Sequence, residues 1–319
     1  MRVLVLEFVT SGGMRGEVLP PSLVAEATLI RDAMLRDLAA LPQGIDVHLT
    51  GDDRLPLPPG ATPVGARADA WALWRSLAAG ADLVWPVAPE TGGVLGRLVE
   101  MLEGTGAHVL ASRPEAIRAA TSKLETARRL ARAGLPHIPT FAFEAAPQMA
   151  GPRITKPDDG AGCDDTRLWP DGTPATPERP QGLVIQPYVA GEAASLTVLA
   201  QQGDARLLSA NRQHIRLVDG HVSLAGLTVG SIADTDGRLA ALAREVAATF
   251  PGLAGIFGID ILLTAEGPVV VEVNPRLTTA YAGLGEALGL NPASLLAELA
   301  APAGAGIVLQ TRAVELALA

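Results

Sequence analysis

The chain has 319 residues, 48% of them hydrophobic, enough for two or three lobes with cores of their own, which argues against a disordered or fibrous protein. A formal net charge of −9 with no basic run argues against a protein that tracks nucleic-acid phosphates or an anionic membrane surface, and leaves small molecules as the expected partners. The one cysteine, Cys163, excludes an intrachain disulfide framework and suits a reducing, cytoplasmic setting.

The opening run MRVLVLEFV carries Glu7 and is followed by Gly12-Gly13, so it reads as a buried strand over 3–9 rather than an export signal. No apolar stretch reaches the roughly 18 to 20 uncharged residues that span a bilayer, and no membrane partner is expected. Up to residue 112 strands and helices alternate: helix 22–41, strand 45–49, helix 69–79, strand 82–86, helix 91–103 and strand 108–110. The strands are uniform apolar runs, as expected of a parallel sheet covered by helices on both faces, which is an α/β class. Ligands gather at the carboxyl ends of such strands. There stand Glu7, the turn Thr10-Ser11-Gly12-Gly13, and Pro89-Glu90-Thr91-Gly92-Gly93. Glu90 and Thr91 are therefore candidates for holding substrate, with capping of the following helix as the plainer role for Thr91.

A helical linker over 113–134 follows, stopped by Gly134 and kept stopped by Pro136 and Pro139. Over 140–187 short strands surround the Gly- and Asp-rich loop 158–165, and the Pro-rich stretch 170–180 reads as a surface excursion. From 188 to 319 the pattern turns to α+β: antiparallel strands 196–200 and 206–210, helix 236–250, a hairpin over 259–273 and helix 291–299. The expected domains are 1–112, 113–187 and 188–319.

The hairpin carries the clearest chemistry. In GIDILLTAEGPVVVEVNPR, residues 258–276, two β-rich runs are separated by Ala265-Glu266-Gly267, which predicts a three-residue loop with Gly267 in the left-handed position. In that register Thr264 faces Pro268 and Asp260 faces Glu272. Glu272 and Asn274 then share one face, while Val271 and Val273 take the other. Three oxygen-bearing side chains converge, and hard oxygen donors are what magnesium takes. An exposed face with ordinary polar residues is the plainer explanation. It is weakened because Glu272 interrupts an apolar run, and because Arg276 follows where it could meet phosphate or carboxylate.

With this hairpin the sequence resembles the ATP-grasp superfamily, whose last lobe ends in an acidic residue on one strand and a Glu-x-Asn pair on the next, followed by Pro-Arg. Other landmarks fall in the expected order. Ser122-Lys123-Leu124 resembles the first nucleotide lysine, Ile154-Thr155-Lys156-Pro157 the second, and Asp159-Gly160-Ala161-Gly162 the loop over the phosphates. Val184-Ile185-Gln186-Pro187-Tyr188-Val189-Ala190-Gly191-Glu192 resembles the hinge that holds adenine. The resemblance covers nearly the whole chain and implies an ATP-grasp fold, a βαβ pre-domain followed by two lobes clasping ATP.

The resemblance also implies roles. Lys123 and Lys156 would meet the α and β phosphates, and Gly160 and Gly162 would let the loop close with its amides inward. Gln186 would take the adenine amino group, the main chain at Tyr188 and Val189 the adenine edge, and Glu192 the ribose. Asp260, Glu272 and Asn274 would hold Mg2+, with Mn2+ able to substitute, while Arg276 and Arg212 would steady an acylphosphate. Two departures stand out: Asp164 and Asp165 fall near positions where glycine or a neutral residue is common, and Ala193 follows Glu192 where relatives often carry the ribose acid. Cys163, with no histidine near it in sequence, reads as a packing residue.

Within the superfamily, the sequence is similar to the tyramine–L-glutamate ligase family of methanofuran and methylofuran biosynthesis. The similarity is carried by Leu19-Pro20-Pro21-Ser22-Leu23, Pro89-Glu90-Thr91-Gly92-Gly93, Asn211-Arg212-Gln213 and Asn274-Pro275-Arg276-Leu277-Thr278-Thr279. This implies an ADP-forming ligase that joins a carboxylate to an amine, with a homodimer as one assembly open to it. A ligase for another amino acid or peptide-like substrate and a non-catalytic ATP-binding module are the alternatives.

Overall fold

The computed structural model describes residues 1–163, 165–300 and 311–318. Its amino-terminal part contains β1 (Arg2–Glu7), α1 (Pro21–Ala39), β2 (Asp46–Asp52), β3 (Thr62–Val64), α2 (Ala70–Ala78), β4 (Leu83–Val87), α3 (Val94–Glu103) and β5 (His108–Val109). The five strands form a parallel sheet in the order β3-β2-β1-β4-β5. Alternate side chains explain why both faces are covered. Val3 and Val5 pack with Ile30, Met34 and Leu38 of α1, while Leu4 and Leu6 pack with Trp74 of α2 and Leu98 and Leu102 of α3. The strand order reverses at β1, so the crevice beyond β1 and β4 is where this topology gathers ligands. Glu7 and Glu90 stand there.

The predicted single helix over 113–134 is two, α4 (Pro114–Thr121) and α5 (Lys123–Arg132). Ser122 between them is extended, and its Oγ accepts the Glu125 amide at 3.1 Å, capping α5. That break places Lys123 in the first turn of α5.

The remaining strands are β6 (Phe141–Ala142), β7 (Arg153–Pro157), β8 (Arg167–Trp169), β9 (Leu183–Pro187), β10 (Glu192–Gln201), β11 (Asp204–Val218), β12 (His221–Val229), β13 (Gly255–Thr264), β14 (Gly267–Asn274) and β15 (Val314–Ala317). They form one ten-stranded sheet, β14-β13-β10-β11-β12-β8-β7-β9-β6, with β15 added on β12. Helix α6 (Arg238–Thr249) covers the β10, β11 and β13 core through Leu239, Leu242, Ala243 and Val246, with Phe250 just past its end.

Two differences from the elements expected of the sequence have physical causes. The expected helix 291–299 is only a 3-10 turn at Pro292–Leu295, after which Leu296 is extended. Ala293, Leu296 and Leu299 are all buried, and Asn291 Nδ2 donates to Asp37 O at 2.7 Å, so packing against α1 shapes this segment. Helix α7 (Tyr281–Leu288) was not anticipated, because Gly283 and Gly285 lower its intrinsic propensity. Packing favours Gly283: a Cβ there would stand 3.1 Å from Val229 Cγ2 and 3.3 Å from Val314 Cγ1, tight contacts with both side chains. Strands β12 and β15 were also missed. No helix among the described residues is long and apolar enough to cross a membrane.

Candidate active site

The site is built on the β13–β14 hairpin. Near the tip the loop has two residues, not three: Thr264 pairs with Gly267 and Leu263 with Pro268, which corrects the predicted Thr264–Pro268 pairing. A β-bulge at Val271 on β14, opposite the Asp260–Ile261 step of β13, absorbs the one-residue difference, so Asp260 still faces Glu272 and Gly258 faces Asn274. Val271, the extra residue, lines the cleft beside Glu272 instead of sharing the core face with Val273. A bulge re-aims side chains in this way. Close approach matters here as well, since a Cβ on Gly258 would stand 2.6 Å from Thr278 Cγ2.

Glu272 lies at the base of a cleft of about 400 Å3 between the two lobes. Lys156 Nζ from β7 reaches its Oε2 at 3.2 Å and Lys123 Nζ from α5 at 3.6 Å, both lysines being buried. Burial raises the Glu272 carboxyl, but the two lysines outweigh it and hold it well below the usual carboxylate range. Asp260 is the opposite case. Burial and then the Glu272 charge push it up to about 7, and its closest partners are neutral amides, Gln213 Nε2 at 3.1 Å and Asn274 Nδ2 at 3.2 Å.

A buried carboxylate beside a second one, with no lysine or arginine in ion-pair contact among the described residues, is an arrangement a divalent cation completes. Asp260, Glu272 and the amide oxygen of Asn274 supply hard oxygen donors, so the residues present fit Mg2+.

The 158–163 loop is held from several sides. Asp158 accepts from the Lys123 amide (3.0 Å) and the Leu124 amide (2.8 Å), and the Gly160 carbonyl accepts from Lys123 Nζ at 2.6 Å. Gly160 is tight against Pro157, 3.0 Å from a would-be Cβ, and Gly162 has φ +66. Beyond them Cys163 and Asp165 also take left-handed backbone, φ 65 and 49, where glycine costs least. Asp164 lies outside the described residues.

Apolar side chains, among them Ile138, Ile154, Leu168, Ile215, Leu217, Val222 and Leu262, wall the cleft toward the hinge. Gln186 lines it with Nε2 donating to Thr140 Oγ1 at 2.8 Å, and Tyr188 and Val189 line it beside Gly191 and Ala193. The Tyr188 amide is already committed to the Pro152 carbonyl at 2.9 Å.

Seven predicted residues do not line the cleft: Glu90, Thr91, Gly162, Glu192, Arg212, Asn274 and Arg276. Glu192 and Arg212 pair with each other at the surface, Arg212 Nε donating to Glu192 Oε1, and neither lines the cleft. Strand alternation is the reason: Arg212 faces Ala194, on the core face, whereas Asn211 and Gln213 turn toward Ser195 and Asp260. Gln213, which the sequence reading quoted but gave no role, is the residue of this trio that reaches the site.

Arg276 and Glu90 meet across the domain junction, with Nε and Nη2 at 2.9 and 2.8 Å from Glu90 Oε2. Burial works against the guanidinium charge, and Glu90 more than restores it. Thr91 is not the cap of α3, whose N-cap is Gly93. Its Oγ1 donates to the Asp159 carbonyl at 3.3 Å.

The comparisons with known proteins agree with this layout. A family model described as ATP-grasp domain matches residues 120–280, and one described as pre ATP-grasp 3 domain matches residues 45–117. The tyramine–L-glutamate ligase of Methanocaldococcus jannaschii is 28% identical over 107 residues, which is 33% of this chain and only 32% of that protein. Among solved structures, a protein assigned to the ATP-grasp superfamily from Archaeoglobus fulgidus superposes with a TM-score of 0.76 at 21% identity, over 98% of this chain and 91% of that one. The biotin carboxylase domain dimer of 2-oxoglutarate carboxylase from Hydrogenobacter thermophilus, in complex with MgADP and bicarbonate, gives 0.68 at 15% identity, over 97% and 71%.

Proposed function

The chain belongs to the ATP-grasp family, and on that premise we propose that it is an ADP-forming carbon–nitrogen ligase that joins L-glutamate to tyramine or tyrosine. The observation that carries ATP chemistry is the position of Glu272, between Lys123 and Lys156 and opposite Asp260, at the base of an apolar-walled cleft. The choice of substrates is supported by the similarity to the tyramine–L-glutamate ligase, and the proposal extends to a role in methanofuran or methylofuran biosynthesis in the cytoplasm.

In this reading the nucleotide lies along the cleft, with adenine among the apolar side chains and against Gln186 and the Val189 amide. Lys123 and Lys156 leave Glu272 for the α and β phosphates, and the amides of Gly160 to Gly162 close over the polyphosphate. Asp260, Glu272 and Asn274 would hold Mg2+, which would supply charge neutralisation on the transferred phosphoryl group. Glutamate's carboxylate takes that phosphoryl group, giving an acylphosphate, and Arg276 steadies the carbonyl oxygen as the amine attacks and phosphate leaves. Closure of the 158–163 loop keeps water from the acylphosphate. Catalysis is mostly positioning and electrostatics.

The test is to incubate the protein with ATP, Mg2+, L-glutamate and either tyramine or tyrosine, and to follow nucleotide and amide together. ADP and amide in equal amounts support the proposal. AMP in place of ADP overturns the acylphosphate route, amide only with other amino acids overturns the substrate assignment, and nucleotide binding without turnover overturns the ligase reading.

A further inference from the structure

Three successive residues of the 158–163 loop are held by different means. Asp158 is fixed by the backbone amides of Lys123 and Leu124 at the start of α5. Among the described residues the Gly160 carbonyl is held by the Lys123 ammonium alone, a contact that is exchanged if that ammonium turns to phosphate. Asp159, between them, reaches out of its own lobe. Its Oδ2 accepts the Gly92 amide at 2.8 Å, and its carbonyl accepts Thr91 Oγ1 at 3.3 Å.

The receiving loop is preset for this contact. Gly92 and Gly93 both take left-handed backbone, φ 64 and 68, the Gly93 amide closes on Glu90 O at 2.9 Å, and Arg97 donates to Gly92 O. A β-carbon at either position would be strained, so the amide of Gly92 is presented by a turn that glycine permits. Glu90, two residues before Gly92, holds Arg276 just past the end of β14. One five-residue turn, 89–93, thus touches both the phosphate loop and Arg276.

We propose that Asp159 is a positioning residue that latches the phosphate loop onto the 89–93 turn, so that the loop closes fully only against a pre-domain whose substrate crevice is in place. The proposal rests on the cleft being the ligase site described above. The latch, unlike the Gly160 contact, survives when the Lys123 ammonium engages nucleotide, and it alone of these contacts joins the loop to the 89–93 turn. Its loss leaves ATP cleavage intact while the acylphosphate meets water, which hydrolyses it to carboxylate and phosphate.

The experiment compares Asp159→Ala and Asp159→Asn with the unaltered full chain by measuring initial rates of ADP and amide formation. Asn retains an oxygen that accepts the Gly92 amide. Asp159→Ala is expected to raise the ratio of ADP to amide about fivefold or more while the KM for ATP stays within about twofold, and Asp159→Asn to restore coupling. A coupled Asp159→Ala, or an Asp159→Asn as uncoupled as Ala, overturns the latch. Hydrogen exchange of amides 158–162 with MgADP bound reads the same contact without any ligase substrate. Faster exchange in Asp159→Ala supports the latch even if the unaltered protein makes no amide, an outcome that would sink only the ligase reading. Unchanged exchange overturns the latch.

Discussion

Glu272 answers to two lysines and faces one carboxylate, so substitutions here should act on chemistry more than on folding. Glu272→Ala or Lys156→Ala is expected to cut amide synthesis by at least about a hundredfold with unchanged circular dichroism, since each removes charge placed for a transferring phosphoryl group. Retained synthesis in either would sink the assignment. Asp260 makes a pH prediction. Its carboxyl is pushed up by burial and by Glu272, and a cation binds only the deprotonated form. Mg2+ affinity in the presence of ADP should therefore fall as pH drops through about 7 and level off above it. Calorimetric titrations at about pH 6 and about pH 8 check the sign, with tighter binding expected at the higher pH. At this scale the hairpin pattern set Asp260 opposite Glu272, as the structure does, while Lys123, Lys156 and Gln186 were offered only by the resemblance to the ATP-grasp superfamily. Arg212 and Glu192, offered in the same way, pair with each other instead of lining the cleft, because which face of a long strand meets the cleft depends on the strand's partners.

Among the elements, the break between α4 and α5 decides where Lys123 goes. Ser122 caps α5 through the Glu125 amide, and Ser122→Ala should destabilise the protein by about 1 kcal/mol in urea unfolding, with Ser122→Gly costing only a few tenths. The alanine variant should also raise the KM for ATP, because Lys123 begins the helix that the cap secures. An unchanged KM would separate the cap from nucleotide binding. The hairpin teaches a related lesson. Alternation and turn residues identified both strands and the facing of Asp260 and Glu272, yet the two-residue loop and the bulge were invisible, since their effects on register cancel at that rung.

For the whole molecule, the Glu90–Arg276 pair joins the amino-terminal sheet to the end of β14 while largely buried, with side-chain exposures of 5% and 13%. Removing either partner leaves a buried charge alone. Glu90→Ala and Arg276→Ala should each cost about 3 kcal/mol, and the double variant clearly less than their sum. Additive losses in a double-mutant cycle would show that the pair does not bind the two parts together. We propose domain divisions at residues 112 and 187, the first in the segment between β5 and α4 and the second at the end of β9.

The amino-acid order by itself determined the parallel sheet and the hairpin that sets Asp260 opposite Glu272. These depend on local period, turn chemistry and the cost of placing charge in apolar runs. Only the tertiary structure decided that Arg276 is held by Glu90, that Gln213 rather than Arg212 reaches Asp260, and that Asp159 meets Gly92. Each of these joins residues far apart in the chain, and side-chain direction across such distances is set by sheet order and packing rather than by neighbours in sequence.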